Sequence, residues 1–429
     1  MPSRRTPRTL LVIPLSLTLA VLAPAGLFGL NSPLSPSFLS LPPAGSAASA
    51  PPRPGGSRTL PPPAPTDQPS PAPPKPTASR TPGSPAPATS YPLASVDSIG
   101  SVAAGAPTPL SRTTRAALDR LVTRGGAPAA ALLSSDGTGS RFAGAGRGIA
   151  RADHFRAGSV TKSFLATVVL QLAAEHRLSL SDSVEAHLPR LVRGAGNDGR
   201  RLTLRSLLTH TSGLYDFTAD TGGIVPLTPA AAVRIALTHS PAPRGRFAYS
   251  NTNYVLLGLV VRQVTGHSYA AEAERRIIGP LRLTGTSFPG GLTSLPSPHG
   301  RSYTADGRDV TELDPRVAGA AGELVTTLTD LNRFYAALLG GELLPPRLLR
   351  EMLDTRTAHG LYGMGLYPVK LACGTTVWGH NGRISGSYVR TAADADGRHV
   401  VSFRVNTDQI ADPGLEPALL STEFCPRTR

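Results

Sequence analysis

The stretch FRAGSVTKSFLATVVLQLAAE, residues 155–175, decides how the rest of the sequence is interpreted. Apolar residues recur at helical spacing in its second half, which predicts a helix over 159–175. Gly158 precedes this helix and marks a junction between a loop and a helix. Ser159 and Lys162 stand three positions apart at that junction, so their side chains would share one face of the helix.

This spacing is typical of a serine that is activated by a lysine. A serine hydroxyl becomes a useful nucleophile only when a neighbouring group accepts its proton. A lysine that is partly desolvated at the start of a helix can have a lowered pKa and accept that proton, whereas arginine stays protonated. Only three of the 43 basic residues are lysines, and Lys162 is the only one that follows a serine by three positions. The alternative is an ordinary helix start, because Ser-Val-Thr also suits an N-cap.

Two further motifs carry reactive side chains. In Tyr249-Ser250-Asn251 the phenol could relay a proton or act as a base, and the asparagine amide could hold the lysine and a substrate carbonyl. In His380-Asn381-Gly382 the histidine could supply a proton or positive potential to a leaving group, and the glycine would let a strand approach the substrate. Taken alone, each motif is better explained as an ordinary loop or cap.

The order of periodic segments predicts the fold class. Alternating segments predict strands at 129–135, 140–146, 362–366, 375–378, 386–391 and 399–406. Helices are predicted at 111–124, 159–175, 204–210, 253–264, 270–278, 327–338, 346–353 and 415–423. Because the late strands follow one another without crossover helices, we predict an α+β fold. It would comprise an antiparallel sheet flanked by helices, with an inserted, mainly helical subdomain.

The first quarter of the chain differs in composition from the rest. It holds 25 of the 43 prolines, counted over residues 1–107. Residues 1–31 combine early arginines with a long apolar run, which predicts a signal peptide or an N-terminal membrane anchor. Residues 32–107 are rich in Pro, Ala and Ser and predict a disordered linker. Residues 108–429 remain as one domain, and we expect a secreted or otherwise extracytoplasmic location.

Charge and cysteine content exclude several classes of protein. The net charge is +15, but acids and bases are interspersed, so we expect no nucleic acid partner. Outside the cytoplasm the two cysteines, Cys373 and Cys425, would form one disulfide that ties the C-terminal segment to the sheet. The histidines are scattered and form no zinc-binding motif, so we expect no metal and no cofactor.

Taken together, the three motifs resemble those of the penicillin-recognising serine hydrolases of the serine β-lactamase superfamily. The spacing from Ser159 to Tyr249 is 90 residues and from Tyr249 to His380 is 131 residues. The sequence is most similar to the secreted serine D-alanyl-D-alanine carboxypeptidases, with class C β-lactamases and related esterases as further relatives. Similarity extends over Leu110–Cys425 and includes the stretches Leu207–Leu214, Phe247–Tyr254 and Tyr362–Leu366.

The resemblance implies a role for each motif residue. Ser159 would be the acylated nucleophile, Lys162 its activating partner, Tyr249 a participant in proton transfer, and Asn251 a group that orients substrate and lysine. His380 would stand where many relatives have lysine. The backbone N–H groups of Ser159 and Arg383 would form the oxyanion hole, with Asn381, Gly382 and Arg383 binding substrate. His210 would be a structural residue beside the site.

The sequence departs from the carboxypeptidase pattern at two positions. Asn381 and Arg383 replace residues that commonly carry hydroxyl groups and help to bind the terminal carboxylate of the substrate. Arg383 could bind that carboxylate with two hydrogen bonds or could obstruct it. Whether Tyr249 or Lys162 takes the first proton is also left open.

The function expected from the resemblance is that of an exported acyl-serine hydrolase. The expected reaction is that of a D-alanyl-D-alanine carboxypeptidase, which forms a covalent acyl-enzyme with peptidoglycan stem peptides. A β-lactamase or an esterase of the same superfamily is the alternative within the enzyme class. A non-catalytic sensor module for the cell wall or for penicillin is the alternative from another class. The expected partner is a peptidoglycan peptide or a β-lactam-like small molecule, with a membrane contacted only through an N-terminal anchor.

Overall fold

The computed structural model describes residues 109–425. The predicted leader at 1–31 and the linker at 32–107 lie outside the described residues. Within 109–425, no helix combines the length and the apolar character that a membrane span requires.

The longer strands lie near the two ends of the described chain, and most of the helices lie between them. The strands are β1 (Ala129–Asp136), β2 (Gly139–Gly146), β3 (Phe155–Arg156), β4 (Arg193–Gly194), β5 (Asn197–Asp198), β6 (Val325–Thr326), β7 (Tyr367–Lys370), β8 (Thr376–Ile384), β9 (Ser387–Ala393) and β10 (Val400–Val405). The helices are α1 (Arg112–Thr123), α2 (Thr161–Ala174), α3 (Val184–His187), α4 (Leu204–Leu208), α5 (Thr218–Thr221), α6 (Pro229–Ala236), α7 (Asn251–Thr265), α8 (Tyr269–Ala273), α9 (Leu328–Leu339), α10 (Pro346–Met352) and α11 (Leu415–Phe424).

Six of the strands form one antiparallel sheet, in the order β2-β1-β10-β9-β8-β7. The N-terminal hairpin β1–β2 pairs with the C-terminal strand β10, so both ends of the described chain complete the same sheet. The helices of the middle segment pack on one side of it. The predicted α+β class, with an antiparallel sheet and a helical insert, is confirmed.

Side-chain alternation on the sheet divides the interior into two cores. On β1, Ala131 and Leu133 face the core that contains α2 and α9, whereas Ala130 and Leu132 face the core formed with α1 and α11. Because both faces of the sheet are covered here, β1 is apolar without alternation from Ala129 to Leu133. The terminal helices therefore form the outer layer, and the inserted helices form the layer that contains the reactive residues.

Helix α2 lies at the centre of the larger core. Its side chains are buried on nearly every face, and the ring of Phe164 stacks on that of Phe334 in α9 with centroids 3.8 Å apart. The predicted helix over 159–175 is confirmed from Thr161 onward, and Gly158–Val160 instead form a 3-10 turn. Burial on all sides holds the start of α2 in a fixed position.

Two predicted strands have different bounds in the structure. Residues 362–366 are not a strand: Gly365 has φ +78°, and a Cβ there would lie 2.5 Å from Cβ of Ala166 because the segment packs directly on α2. Strand β8 extends to Ile384, so His380 lies within a strand and not in a loop. Gly379 lies where β8 approaches β9 closely, since a Cβ there would lie 2.0 Å from the carbonyl oxygen of Thr391.

The predicted disulfide is present between Cys373, in the β7–β8 connection, and Cys425, at the end of α11. It closes a loop of 52 residues. Replacing both cysteines with serine should lower the free energy of unfolding by roughly 2–4 kcal/mol, because the unfolded chain regains loop entropy. Urea unfolding of the oxidised protein and the double variant measures the difference. Equal unfolding free energies would contradict this prediction.

Candidate active site

Ser159 lies in the 3-10 turn that leads into α2. Gly158 has a φ of +50°, a backbone conformation that is strained for any residue with a side chain. This conformation turns the chain sharply before the helix. Ser159 remains partly accessible, while its neighbours Gly158 and Val160 are buried. The serine hydroxyl is therefore presented at the surface of a rigid support.

Lys162 is completely buried one helical turn later, and its ammonium nitrogen contacts three oxygen atoms. Nζ lies 3.1 Å from Oγ of Ser159, 2.8 Å from Oδ1 of Asn251 and 2.7 Å from the carbonyl oxygen of Ala321. These contacts fix the side chain so that the amine points at the serine hydroxyl. The predicted motif residues Ser159, Lys162 and Asn251 are thus brought together.

The environment of Lys162 favours the neutral amine. Burial lowers its pKa to about 7, although the negative charge of Asp216 opposes the shift. Near neutral pH a substantial fraction of Lys162 is therefore uncharged and able to accept a proton from Ser159.

Tyr249 approaches Ser159 from a second direction. Its hydroxyl donates a hydrogen bond of 2.9 Å to Oγ of Ser159, and its ring lies 4.9 Å from Nζ of Lys162. Burial raises the pKa of Tyr249 well above its ordinary value, and the charge of Asp216 adds to the shift, whereas the hydrogen bond to Ser159 opposes it. The phenol accordingly stays protonated. The geometry and the two pKa shifts together favour Lys162 as the proton acceptor and Tyr249 as a proton donor.

Asp216 is a functional residue that the sequence analysis missed. Nδ2 of Asn251 donates to its carboxylate at 3.0 and 3.3 Å and to Oγ1 of Thr218 at 3.1 Å. This bond orients the amide so that Oδ1 faces Lys162. Asp216 precedes Asn251 by 35 residues and belongs to none of the three motifs, so only the Asp-x-Thr turn around it could have drawn attention.

Strand β8 passes directly beside the serine turn. A Cβ on Gly158 would lie 2.7 Å from the backbone nitrogen of Arg383, and a Cβ on Gly382 would lie 1.8 Å from the carbonyl oxygen of Ala157. Both glycines are therefore required by close backbone contact. This contact places the Arg383 backbone next to Ser159. An oxyanion hole formed by the backbone N–H groups of Ser159 and Arg383 requires this placement.

The side chains of β8 point alternately to the two cores. His380 and Gly382 pair with Thr391 and Val389 and face the α2 side, whereas Asn381 and Arg383 face the α1–α11 side with Tyr388. Oδ1 of Asn381 accepts a hydrogen bond of 3.0 Å from Tyr367, and its Nδ2 lies 3.4 Å from the hydroxyl of Tyr388. Tyrosines beneath the sheet thus hold Asn381, while Arg383 is exposed.

His380 is buried and uncharged at neutral pH. Burial, with the charge of Lys162 as a second cause, lowers its pKa to about 3. Its Nε2 lies 2.9 Å from the hydroxyl of Tyr362, and its Nδ1 contacts the carbonyl oxygen of Asn381. A neutral imidazole in this position supplies hydrogen bonds rather than positive charge.

His210 supports the Tyr249 ring from behind. The two rings stack with centroids 4.2 Å apart, and Nδ1 of His210 accepts hydrogen bonds from the backbone N–H of Ser250 at 3.2 Å and the amide of Asn253 at 3.1 Å. Burial lowers the pKa of His210 well below its ordinary value, so this ring is also neutral. It positions the tyrosine and does not contact the serine.

These residues form a site for acyl transfer through a serine. The nucleophile, a buried lysine of lowered pKa, a protonated phenol and a close strand edge converge within a few ångströms. Between residues 109 and 425 no group of three His, Cys, Asp or Glu side chains is arranged to hold a metal ion. A family model described as Beta-lactamase matches residues 114–420. The chain belongs to the beta-lactamase family, whose fold and serine hydrolase class agree with this site.

Among solved structures, the chain is similar to a D-stereospecific amidohydrolase and to a D-amino acid amidase. A D-stereospecific amidohydrolase from Streptomyces sp. is 39% identical with a TM-score of 0.69, and the match covers 74% of this chain and 99% of that one. The D-amino acid amidase from Ochrobactrum anthropi SV3, in complex with D-phenylalanine, is 25% identical with a TM-score of 0.65, covering 73% and 99%.

Curated relatives match over shorter regions. PbpX of Bacillus subtilis (strain 168), named as a penicillin-binding protein, is 30% identical over 217 residues, which cover 50% of this chain and 53% of PbpX. The protein flp of Staphylococcus aureus (strain COL) is 34% identical over 136 residues, which cover 30% of this chain and 27% of flp. The match therefore spans about half of one curated relative and about a quarter of the other.

The acylation rate should depend on the protonation of Lys162. Because only the neutral amine accepts the serine proton, kcat/KM should rise with pH through a midpoint near 7. Asp216→Asn removes a negative charge that favours the ammonium, so the midpoint should move to lower pH. Asp220→Asn, four residues further on and exposed, is the matched control and should leave the midpoint in place. Identical profiles for all three proteins would contradict the role given to Asp216.

Gly382→Ala should disrupt the strand edge beside Ser159. The new Cβ would overlap the carbonyl oxygen of Ala157, so the backbone must move away from the nucleophile. We expect kcat/KM to fall by roughly 100-fold or more, since a displacement of about 1 Å in a catalytic group has that effect. Gly137→Ala has open space around its Cβ and should retain full activity. Wild-type kinetics for Gly382→Ala would show that the close contact is not needed.

Proposed function

We propose that this protein hydrolyses amide or peptide bonds on the carbonyl side of a D-amino acid residue, through an acyl-Ser159 intermediate. The observation that carries the proposal is Lys162, buried with a pKa of about 7 and 3.1 Å from Oγ of Ser159. Similarity to the Streptomyces D-stereospecific amidohydrolase over 99% of its length supports the choice of a D-configured acyl group.

The arrangement supports a two-step reaction. The Ser159 hydroxyl transfers its proton to Lys162 while Oγ attacks the carbonyl carbon, and the oxyanion is held by the N–H groups of Ser159 and Arg383. The C–N bond then breaks, and the leaving amine takes a proton from Tyr249, which recovers one from Lys162. In the second step the same groups activate water, which attacks the ester, and the acid is released with Ser159 restored.

A D-alanyl-D-alanine carboxypeptidase is the second candidate. Similarity to PbpX favours it, and it would perform the same chemistry on a stem peptide. Recognition of a terminal carboxylate is the additional requirement, and Nδ2 of Asn381, the group that would donate to it, faces the hydroxyl of Tyr388 beneath the sheet at 3.4 Å. We therefore propose the amidase activity ahead of the carboxypeptidase activity.

We also propose an extracytoplasmic location. The disulfide between Cys373 and Cys425 supports it, because such bonds persist in oxidising compartments. The apolar segment within residues 1–31 agrees with export.

Hydrolysis of matched enantiomers tests the proposed function. The wild type should hydrolyse N-acetyl-D-alanine amide at least about 10-fold faster than the L-enantiomer in kcat/KM, since the wrong enantiomer misplaces the carbonyl. Ser159→Ala should lower the activity by about 1,000-fold or more. Ser181→Ala, an exposed serine outside the site, is the matched control. Ammonia release measures the reaction, and mass spectrometry detects the acyl adduct on Ser159.

Other results would favour the alternatives. Release of D-alanine from an N-acyl-D-Ala-D-Ala peptide without amide hydrolysis would favour the carboxypeptidase, and rapid hydrolysis of nitrocefin would favour a β-lactamase. Turnover of short acyl esters alone would favour an esterase. Binding that survives Ser159→Ala without any acyl adduct would overturn the enzymatic proposal and favour a sensor module.

A further inference from the structure

A cavity of about 400 Å³ lies beside the catalytic residues and has no part in the steps described above. Its walls come from the start of α6, the middle of α7, the start of α8 and the loop that precedes β6. Phe217, Val255, Tyr269, Ala320 and Glu323 are among the lining residues. Most of this surface is apolar, and Glu323 is the acidic exception.

Several residues of the cavity wall are neighbours of catalytic residues along the chain. Phe217 follows Asp216, and Val255 lies one helical turn beyond Asn251 on the same face of α7. Ala320 precedes Ala321, whose carbonyl oxygen accepts the hydrogen bond from Lys162. These links along the chain place the cavity next to the residues that hold Lys162.

Glu323 is an unusual residue to find in an apolar wall. It is 4% exposed, and Oε1 accepts a hydrogen bond of 2.5 Å from the hydroxyl of Tyr269. The tyrosine is itself fixed, because its ring packs against Phe288 and against Gly258 of α7. The carboxyl group is thus held rigidly at one place in the wall.

The carboxylate lacks a cationic partner within the part of the chain that the structure describes. Arg316 also lines the cavity, but its guanidinium is half-exposed and forms two parallel bonds with Asp314. Burial without a counter-charge raises the pKa of Glu323 to about 7. A buried carboxylate is costly unless it is paired, so a cation that enters the cavity would be bound favourably.

We propose that this cavity is the subsite for the acyl-side residue of the substrate, and that it selects a basic side chain. The aliphatic stem of a D-lysine-type residue would lie on Phe217, Val255 and Ala320, while its ammonium would pair with Glu323. This inference rests on the proposed function, because it assigns the side chain of the D-residue whose carbonyl carbon is attacked.

Two matched substrates test the subsite. N-acetyl-D-lysine amide and N-acetyl-D-norleucine amide share an aliphatic stem, and only the first carries an ammonium group. We expect the wild type to prefer the lysine derivative by about 10- to 100-fold in kcat/KM, the range for a hydrogen bond between charged groups. Glu323→Gln should reduce the preference to about 3-fold or less while retaining hydrolysis of the norleucine derivative.

Controls separate this inference from the proposed function. Glu342→Gln, an exposed residue outside the cavity, should keep the wild-type preference. Hydrolysis of both amides at similar rates by the wild type would overturn the subsite and leave the proposed function standing. A preference that persists in Glu323→Gln would also overturn it. Hydrolysis of neither amide by a protein whose Ser159 still reacts with fluorescent penicillin would overturn the proposed function, and the subsite with it.

Discussion

The burial of the Lys162 amine between Ser159, Asn251 and the carbonyl oxygen of Ala321 is the interaction on which the rest of the site depends. A lowering of its pKa from 10.5 to about 7 corresponds to a penalty of roughly 5 kcal/mol on the ammonium form. The unfolded chain binds the proton more tightly, so this penalty on folding is complete below pH 7 and disappears as the pH rises toward 10.5. The fold therefore gives up stability at neutral pH to keep a reactive amine beside the serine.

Close packing makes this burial possible. A Cβ on Gly365 would lie 2.7 Å from the carbonyl oxygen of Lys162, and one on Gly322 would approach the Gly158 backbone to 3.5 Å. Such contacts exclude water from the amine and bring several distant segments onto the start of α2. Asp216 acts against the desolvation, since its charge favours the ammonium form and so opposes the lowering of the Lys162 pKa.

The sequence predicted the elements with strong periodicity and the residues that form compact motifs. The β1–β2 hairpin, the long helix after Ser159 and the closing helix α11 follow from local apolar patterns. The roles of the three motifs came from resemblance to a known family. The extent of β8 was not predicted: the expected strand ended at residue 378, whereas the pairing of β8 with β9 continues to Ile384. Asp216 and Ala321 were missed because only tertiary contact brings Asp216 to Asn251 and Ala321 to Lys162.

Neutral groups dominate the surroundings of the one ionisable amine. His210 and His380 are buried with lowered pKa values, and Tyr249 is held protonated. A charged imidazole beside Lys162 would repel the ammonium that forms when Ser159 is deprotonated. The neutral state of both imidazoles therefore favours protonated Lys162 at this step. The hydrogen bonds of His210 and His380 are made to Ser250, Tyr362 and backbone atoms. These bonds, with the stacking of His210 on Tyr249, hold Tyr249 and strand β8 in place without adding charge near Lys162.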